Sequence, residues 1–84
     1  MKRLKLAGAT LNQTPFDWKG NATNIVDAIH QAKQEGAQIL CLPELCTTGY
    51  GCEDVFLSDW LSESAFEQVL KLKDHCENIT VNIG

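Results

Sequence analysis

Gln38-Ile39-Leu40-Cys41-Leu42, closed by Pro43 and Glu44, is the stretch on which the fold turns. It is a short unbroken apolar run, the pattern of a parallel-sheet strand buried on both faces. Pro43 ends it because proline has no N–H to give to a sheet ladder. Upstream, residues 22–35 predict a helix. Ile25, Ala28, Ile29 and Ala32 recur at i, i+3, i+4 and i+7. Asn21 is placed to cap that helix, and Gly36 sits where a left-handed stop belongs. His30 falls on the flank of the stripe, as a partly exposed side chain with no catalytic part. Residues 13–20, punctuated by Pro15 and Gly20, read as loop. Residues 3–12 read as strand, with Leu4 and Leu6 alternating with Lys5 and Ala7.

Downstream, residues 43–60 form a long irregular stretch with one helical turn near Asp54–Leu57. A loop of that length in a compact domain is functional or disordered, and its Tyr, Trp, Phe, Cys and Leu content argues against disorder. Asp54 is placed to cap the short turn. Ser64 followed by Glu67 forms a capping-box pattern opening a helix over 64–77. Its stripe is Ala65, Val69, Leu72 and Cys76, widened by Phe66 and Leu70. Residues 79–83 alternate as a strand. Strand, helix, strand, helix, strand implies an α/β sheet with crossover connections.

Three strands and two helices cover only one sheet face well, so the chain is expected to be the opening piece of a larger domain. A chain of this length buries only about 60–65% of its unfolded surface. Alone it is expected to associate or to be poorly ordered, because a bare sheet edge and uncovered apolar faces remain. A stand-alone, non-catalytic α/β interaction module is the competing reading that the length of 84 residues suggests.

Composition narrows the function classes. The chain is 44% hydrophobic and 21% charged, with a formal net charge of -4. Lys2, Arg3 and Lys5 are its one basic cluster, too little for a nucleic-acid face. No apolar run is long enough to span a bilayer. The N-terminus lacks a signal-peptide core, so a cytoplasmic location and free thiols are expected. Cys41, Cys46, Cys52 and Cys76 contain no C-x2-C pair, and His30 and His75 complete no zinc pattern. No metal and no cofactor are expected in this segment.

The chemistry-bearing residue is Glu44. The carboxyl ends of sheet strands are where α/β folds place reactive groups. A carboxylate partly shielded there would have a raised pKa, which suits a general base. An exposed loop carboxylate with a capping role accounts for the same residue.

The string Leu42-Pro43-Glu44-Leu45-Cys46-Thr47-Thr48-Gly49-Tyr50-Gly51-Cys52-Glu53-Asp54 resembles the first catalytic motif of the nitrilase, or carbon–nitrogen hydrolase, superfamily. Within it the wording is similar to the glutaminase domains of the glutamine-dependent NAD+ synthetases. Leu11-Asn12-Gln13, Asp17 and Gly20-Asn21 resemble the opening strand and loop of those domains, and Glu35-Gly36-Ala37 resembles the end of the first crossover helix. The resemblance covers essentially the whole chain. It implies an incomplete α-β-β-α sandwich, of which this is the strand-helix-strand-helix-strand portion.

It also implies a Glu, Lys and Cys mechanism, with Glu44 as general base and Tyr50 near the substrate pocket. A loop-anchoring aromatic is the plainer reading of Tyr50. The Lys and Cys of such a site belong to later motifs, so residues 1–84 alone are expected to be inactive. The implied substrate is glutamine and the implied partner is the rest of the parent enzyme, a homo-oligomer. The implied cofactors, ATP and Mg, belong to a separate synthetase domain. Another amidase or nitrilase of the same superfamily is the alternative.

Overall fold

The computed structural model describes residues 3–52, 55 and 57–84. Its strands are β1 (Leu6–Gly8), β2 (Ile39–Cys41) and β3 (Thr80–Asn82). Two helices alternate with them: α1 (Trp18–Gln34) and α2 (Asp59–Leu72), the second running into a 3-10 turn at Lys73–His75. The sheet is parallel throughout, in the order β1-β2-β3. The expected α/β order is therefore present, with strands shorter than the apolar runs suggested.

Register decides which side chains enter the core. Ala7, Leu40 and Val81 form one row across the sheet, between the row of Leu6, Ile39 and Thr80 and the row of Gly8, Cys41 and Asn82. Two like-handed crossovers stepping in one direction place both helices on one face. The Ala7–Leu40–Val81 row packs there with Ile25, Ile29 and Ala32 of α1, Leu72 of α2, and Ile79. Ile25 and Ile29 are wholly buried. Each fully buried aliphatic side chain contributes about 1.5–3 kcal/mol.

Within residues 1–84 the two helices leave the opposite face uncovered, so this segment does not itself supply the double cover expected of β2. Cys41 is exposed and Leu6 is 66% exposed. An unbroken apolar run satisfies the pattern of a doubly covered strand, but two helices suffice for one face only.

The helix boundaries also differ from expectation, for identifiable reasons. Asp17, rather than Asn21, caps α1, its Oδ1 accepting from the Gly20 N–H at 3.0 Å. Asn21 lies one turn inside the helix and is buried. The C-terminal stop falls as expected. Gly36, at φ 78, donates to the Lys33 carbonyl, and Ala37 donates to that of Ala32. This paired arrangement satisfies carbonyls the helix end would otherwise orphan.

Helix α2 starts at Asp59 with Ser58 in the cap position, so Ser64 is interior and makes no capping box. Its buried positions are Leu61 and Leu72, whereas Phe66 and Leu70 are more than half exposed and do not widen the core stripe. Val55 and Leu57 lie in 3-10 conformation in the connection; the capping role foreseen for Asp54 falls outside the described residues. His30 is exposed, with its Nε2 3.3 Å from Nδ1 of His75.

Candidate active site

Glu44 leaves the sheet two residues after Leu42, whose N–H donates to the Asn82 carbonyl as the final rung beside β3. The chain then makes a single turn over residues 44–48. The turn closes where the Gly49 N–H donates to the Leu45 carbonyl at 2.7 Å. Leu45 takes a left-handed φ of 53. That conformation costs a branched residue about 1–3 kcal/mol and persists only where surrounding contacts over-determine it. The strained residue is next to the carboxylate of interest.

Two glycines make room for this turn. Gly49 has φ 78, and a Cβ there would lie 2.8 Å from the Pro15 nitrogen and the Thr14 carbonyl carbon. A Cβ on Gly84 would lie 2.6 Å from Glu44 Cα and from the Pro43 carbonyl oxygen. Residue 84, just past β3, thus supports the backbone of Glu44 from beneath.

Beyond the turn, Cys46, Thr47 and Thr48 are buried, while Glu44 and Tyr50 are exposed. The Tyr50 hydroxyl donates to Glu44 Oε2 at 3.0 Å. Both line a pocket of about 240 Å³ with Leu11, Asn12, Gln13, Pro43 and Leu45. Tyr50 is thus no core aromatic, and the two residues singled out in the sequence meet at one pocket. The partial shielding foreseen for Glu44 is not present among the described residues. Its walls come only from the β1 exit and its own loop. The hydrogen bond to the Glu44 carboxylate pushes the Tyr50 phenol above its ordinary value, and the nearby negative charge adds to that.

The thiols are distributed differently from expectation. Cys41, whose place in the apolar run 38–42 implies burial, is exposed on the open sheet face; Cys46 and Cys52 are the buried ones. The Cys46 sulfur faces the Gly84 carbonyl and the Cys52 sulfur faces those of Thr48 and Gly49. Burial pushes the Cys46 thiol up, away from thiolate chemistry. Among the described residues no three His, Cys, Asp or Glu side chains cluster as a metal site, and no helix is long and apolar enough to cross a membrane.

Sequence reasoning missed the amides behind the turn. Asn21 Nδ2 donates to the Thr14 and Thr47 carbonyls, and its Oδ1 accepts from the Thr14 N–H. Gln13 Nε2 donates to the carbonyls of Cys46 and Asn21. A signal existed: Asn21 stands four residues before Ile25, on the buried stripe, where a polar residue demands partners.

A carboxylate at the exit of a parallel strand, in a pocket rimmed by the strand-to-helix loops, stands where α/β folds carry reactive groups. The carbon-nitrogen hydrolase profile matches residues 5–84, and the chain belongs to that family. Its relatives are more specific. A glutamine-dependent NAD(+) synthetase of Arabidopsis thaliana is 43% identical over 86 residues, covering all of this chain and 12% of that protein. The Dictyostelium discoideum enzyme of the same name is 39% identical over 90 residues, again covering all of this chain and 12% of that protein. The crystal structure of a glutamine-dependent NAD(+) synthetase from Cytophaga hutchinsonii superimposes with a TM-score of 0.89 at 54% identity, covering 93% of this chain and 13% of that one. The chain thus spans about an eighth of the length of these relatives.

Proposed function

We propose that residues 1–84 are the N-terminal portion of the glutaminase domain of a glutamine-dependent NAD+ synthetase, with Glu44 as the general base of amide hydrolysis. The observation that carries this reading is the placement of Glu44 at the end of β2, in a pocket shared with Tyr50. The relatives' names support glutamine as the substrate, over the other amides that family membership alone would admit.

In this mechanism the Glu44 carboxylate takes the proton of a cysteine thiol supplied by a later segment of the protein. The thiolate attacks the carboxamide carbon of glutamine. A lysine, also from a later segment, stabilises the tetrahedral oxyanion. The intermediate collapses as the amide nitrogen takes the proton back from Glu44 and departs as ammonia, leaving a thioester. Glu44 then deprotonates water, which attacks the thioester. Glutamate leaves and the thiol is restored. Tyr50, donating to Glu44 in the pocket they share, orients the carboxylate before substrate arrives. The ammonia is consumed in a separate domain that uses ATP and Mg to amidate nicotinic acid adenine dinucleotide. The apolar surface left by Leu6, Phe66 and Leu70 supports a cover from the rest of the enzyme and from a second copy. The isolated segment, holding neither of the later residues, is inactive in this reading.

The test is Glu44→Gln in the full-length enzyme. Glutamine-driven NAD+ formation is expected to fall by about 10²–10⁴-fold, the worth of a positioned base. Formation from ammonium is expected to continue at the normal rate. Equal loss of both activities overturns the assignment.

A further inference from the structure

Behind Glu44, three successive carbonyls take donors from residues 13–21. Gln13 Nε2 donates to Cys46, Asn21 Nδ2 to Thr47 at 2.9 Å, and the Phe16 N–H to Thr48 at 3.0 Å. The first two donors belong to a side-chain network in which Gln13 and Asn21 each use both amide hydrogens and their oxygen. The Thr14 N–H can only donate, so it fixes Asn21 Oδ1 on its own side, 2.9 Å away. Both Nδ2 hydrogens are then committed to the Thr14 and Thr47 carbonyls. Gln13 spends both hydrogens on the Cys46 and Asn21 carbonyls, and its Oε1 accepts from Asn24 Nδ2 at 2.7 Å.

We infer that the Gln13–Asn21–Asn24 amide cluster positions the catalytic carboxylate, by clamping the 44–49 turn from behind through its own carbonyls; the inference rests on the reading of Glu44 as general base. Apolar side chains could fill the same space, and burying amides costs desolvation that a core would avoid. A saturated polar network instead admits one geometry. That geometry is imposed two to four residues from Glu44, on a turn whose Leu45 is held in a strained conformation. Gln13 also lines the pocket itself, so the clamp and the carboxylate share one wall.

The experiment uses the full-length enzyme with Gln13→Met, Asn24→Ala and, as reference, Glu44→Gln. Gln13→Met keeps length and volume and removes the donors. A turn displaced by a fraction of an ångström is expected to cost about 10–100-fold in kcat with glutamine while KM moves less than about 3-fold. The acid limb of the pH profile is expected to shift, and ammonium-driven turnover to hold. Titration with an electrophilic glutamine analogue is expected to reach full stoichiometry, at a slower rate. Asn24→Ala, which only frees Gln13 to rotate, is expected to show the same signature more weakly, and it decides the matter if Gln13→Met does not fold. Wild-type kcat, KM and pH profile in both variants would overturn the inference. So would a loss of titratable sites equal to the loss of kcat, because the change is then a loss of folded domain. Full glutamine-driven activity in Glu44→Gln sinks the base assignment instead, and so separates the two failures.

Discussion

The Tyr50 hydroxyl and the Glu44 carboxylate are 3.0 Å apart across the turn that follows β2. The phenol donates and the carboxylate accepts. Both groups are open to solvent, so the contact is readily exchanged. An incoming amide or thiol can take the phenol's place on the carboxylate without breaking a packed core.

The contact makes Tyr50 a reporter of Glu44. Its pKa is raised from 10.0, first by the hydrogen bond to Glu44. The phenolate absorbance of Tyr50, isolated as the difference between wild type and Tyr50→Phe, is expected to titrate above 10.0. Glu44→Gln removes the negative acceptor and should bring the midpoint back down. An unchanged midpoint in Glu44→Gln would show that the pair is not formed in solution.

A second expectation concerns the packing of Gly49 on Thr14 and Pro15. Gly49→Ala adds a methyl in a left-handed conformation and drives it into backbone atoms 2.8 Å away. The cost should be at least about 1–3 kcal/mol of stability. Gly8→Ala is the control, because a Cβ there meets nothing within 4 Å. Denaturant midpoints of the two variants check this: a shift for Gly8→Ala as large as that for Gly49→Ala would contradict it.

Much of this arrangement was legible in the residues alone. The Ile25–Ile29–Ala32 stripe, the stop at Gly36, the strand after it and the exit at Pro43 follow from periodicity and backbone chemistry, because each is a local signal. What could not be read is non-local. Whether β2 is covered on one face or two depends on where both helices pack, and Leu40 and Cys41 look alike in a sequence. Asn21 has the composition of a helix cap, and only its partners at Thr14 and Thr47 show it to be a buried clamp. Asp17 outcompetes it because its side chain reaches the Gly20 N–H while Asn21 is engaged elsewhere. Glu44 itself stood out by its place after the strand and by family resemblance, whereas Gln13 and Asn21 fall in the resembling opening segment without any local signal that assigns them a place behind the turn.

The thiols give a third expectation. Cys41 is exposed, whereas Cys46 and Cys52 are buried. Iodoacetamide at about pH 8 should modify Cys41 well before Cys46 in the 84-residue chain, whose sheet face at Cys41 has no cover, because the thiolate is the reacting form and burial disfavours it. Burial raises the Cys46 pKa from 9.0, so the folded state holds that proton more tightly than the unfolded one. The stability this represents is fully present below 9.0 and is lost as pH rises from there through the raised value. Denaturant midpoints near neutrality and above 9.0 should therefore fall with pH less steeply in Cys46→Ala than in wild type. Mass spectrometry showing Cys46 labelled as fast as Cys41 would refute the buried placement.

Gly84 offers the sharpest single probe of how Glu44 is held. Its Cα faces the backbone of Pro43 and Glu44 so closely that an added Cβ would stand 2.6 Å from Glu44 Cα. Backbone atoms cannot yield as a flexible side chain would, so in Gly84→Ala the approach of residue 84 to Pro43 and Glu44 must change, and the turn is expected to move with it. With Glu44 drawn away from Tyr50, the phenol midpoint should drop toward 10.0, the same direction expected for Glu44→Gln. In the full-length enzyme the same displacement should lower glutamine-driven turnover by about 10-fold or more, the usual cost of a sub-ångström error at a reacting group. Ammonium-driven turnover should hold, because the change is confined to the proposed glutaminase site. The two readouts are linked through one carboxylate: a lowered midpoint with normal glutamine turnover would mean that the position of Glu44 does not matter to the reaction. An unmoved midpoint would mean that residue 84 does not support it.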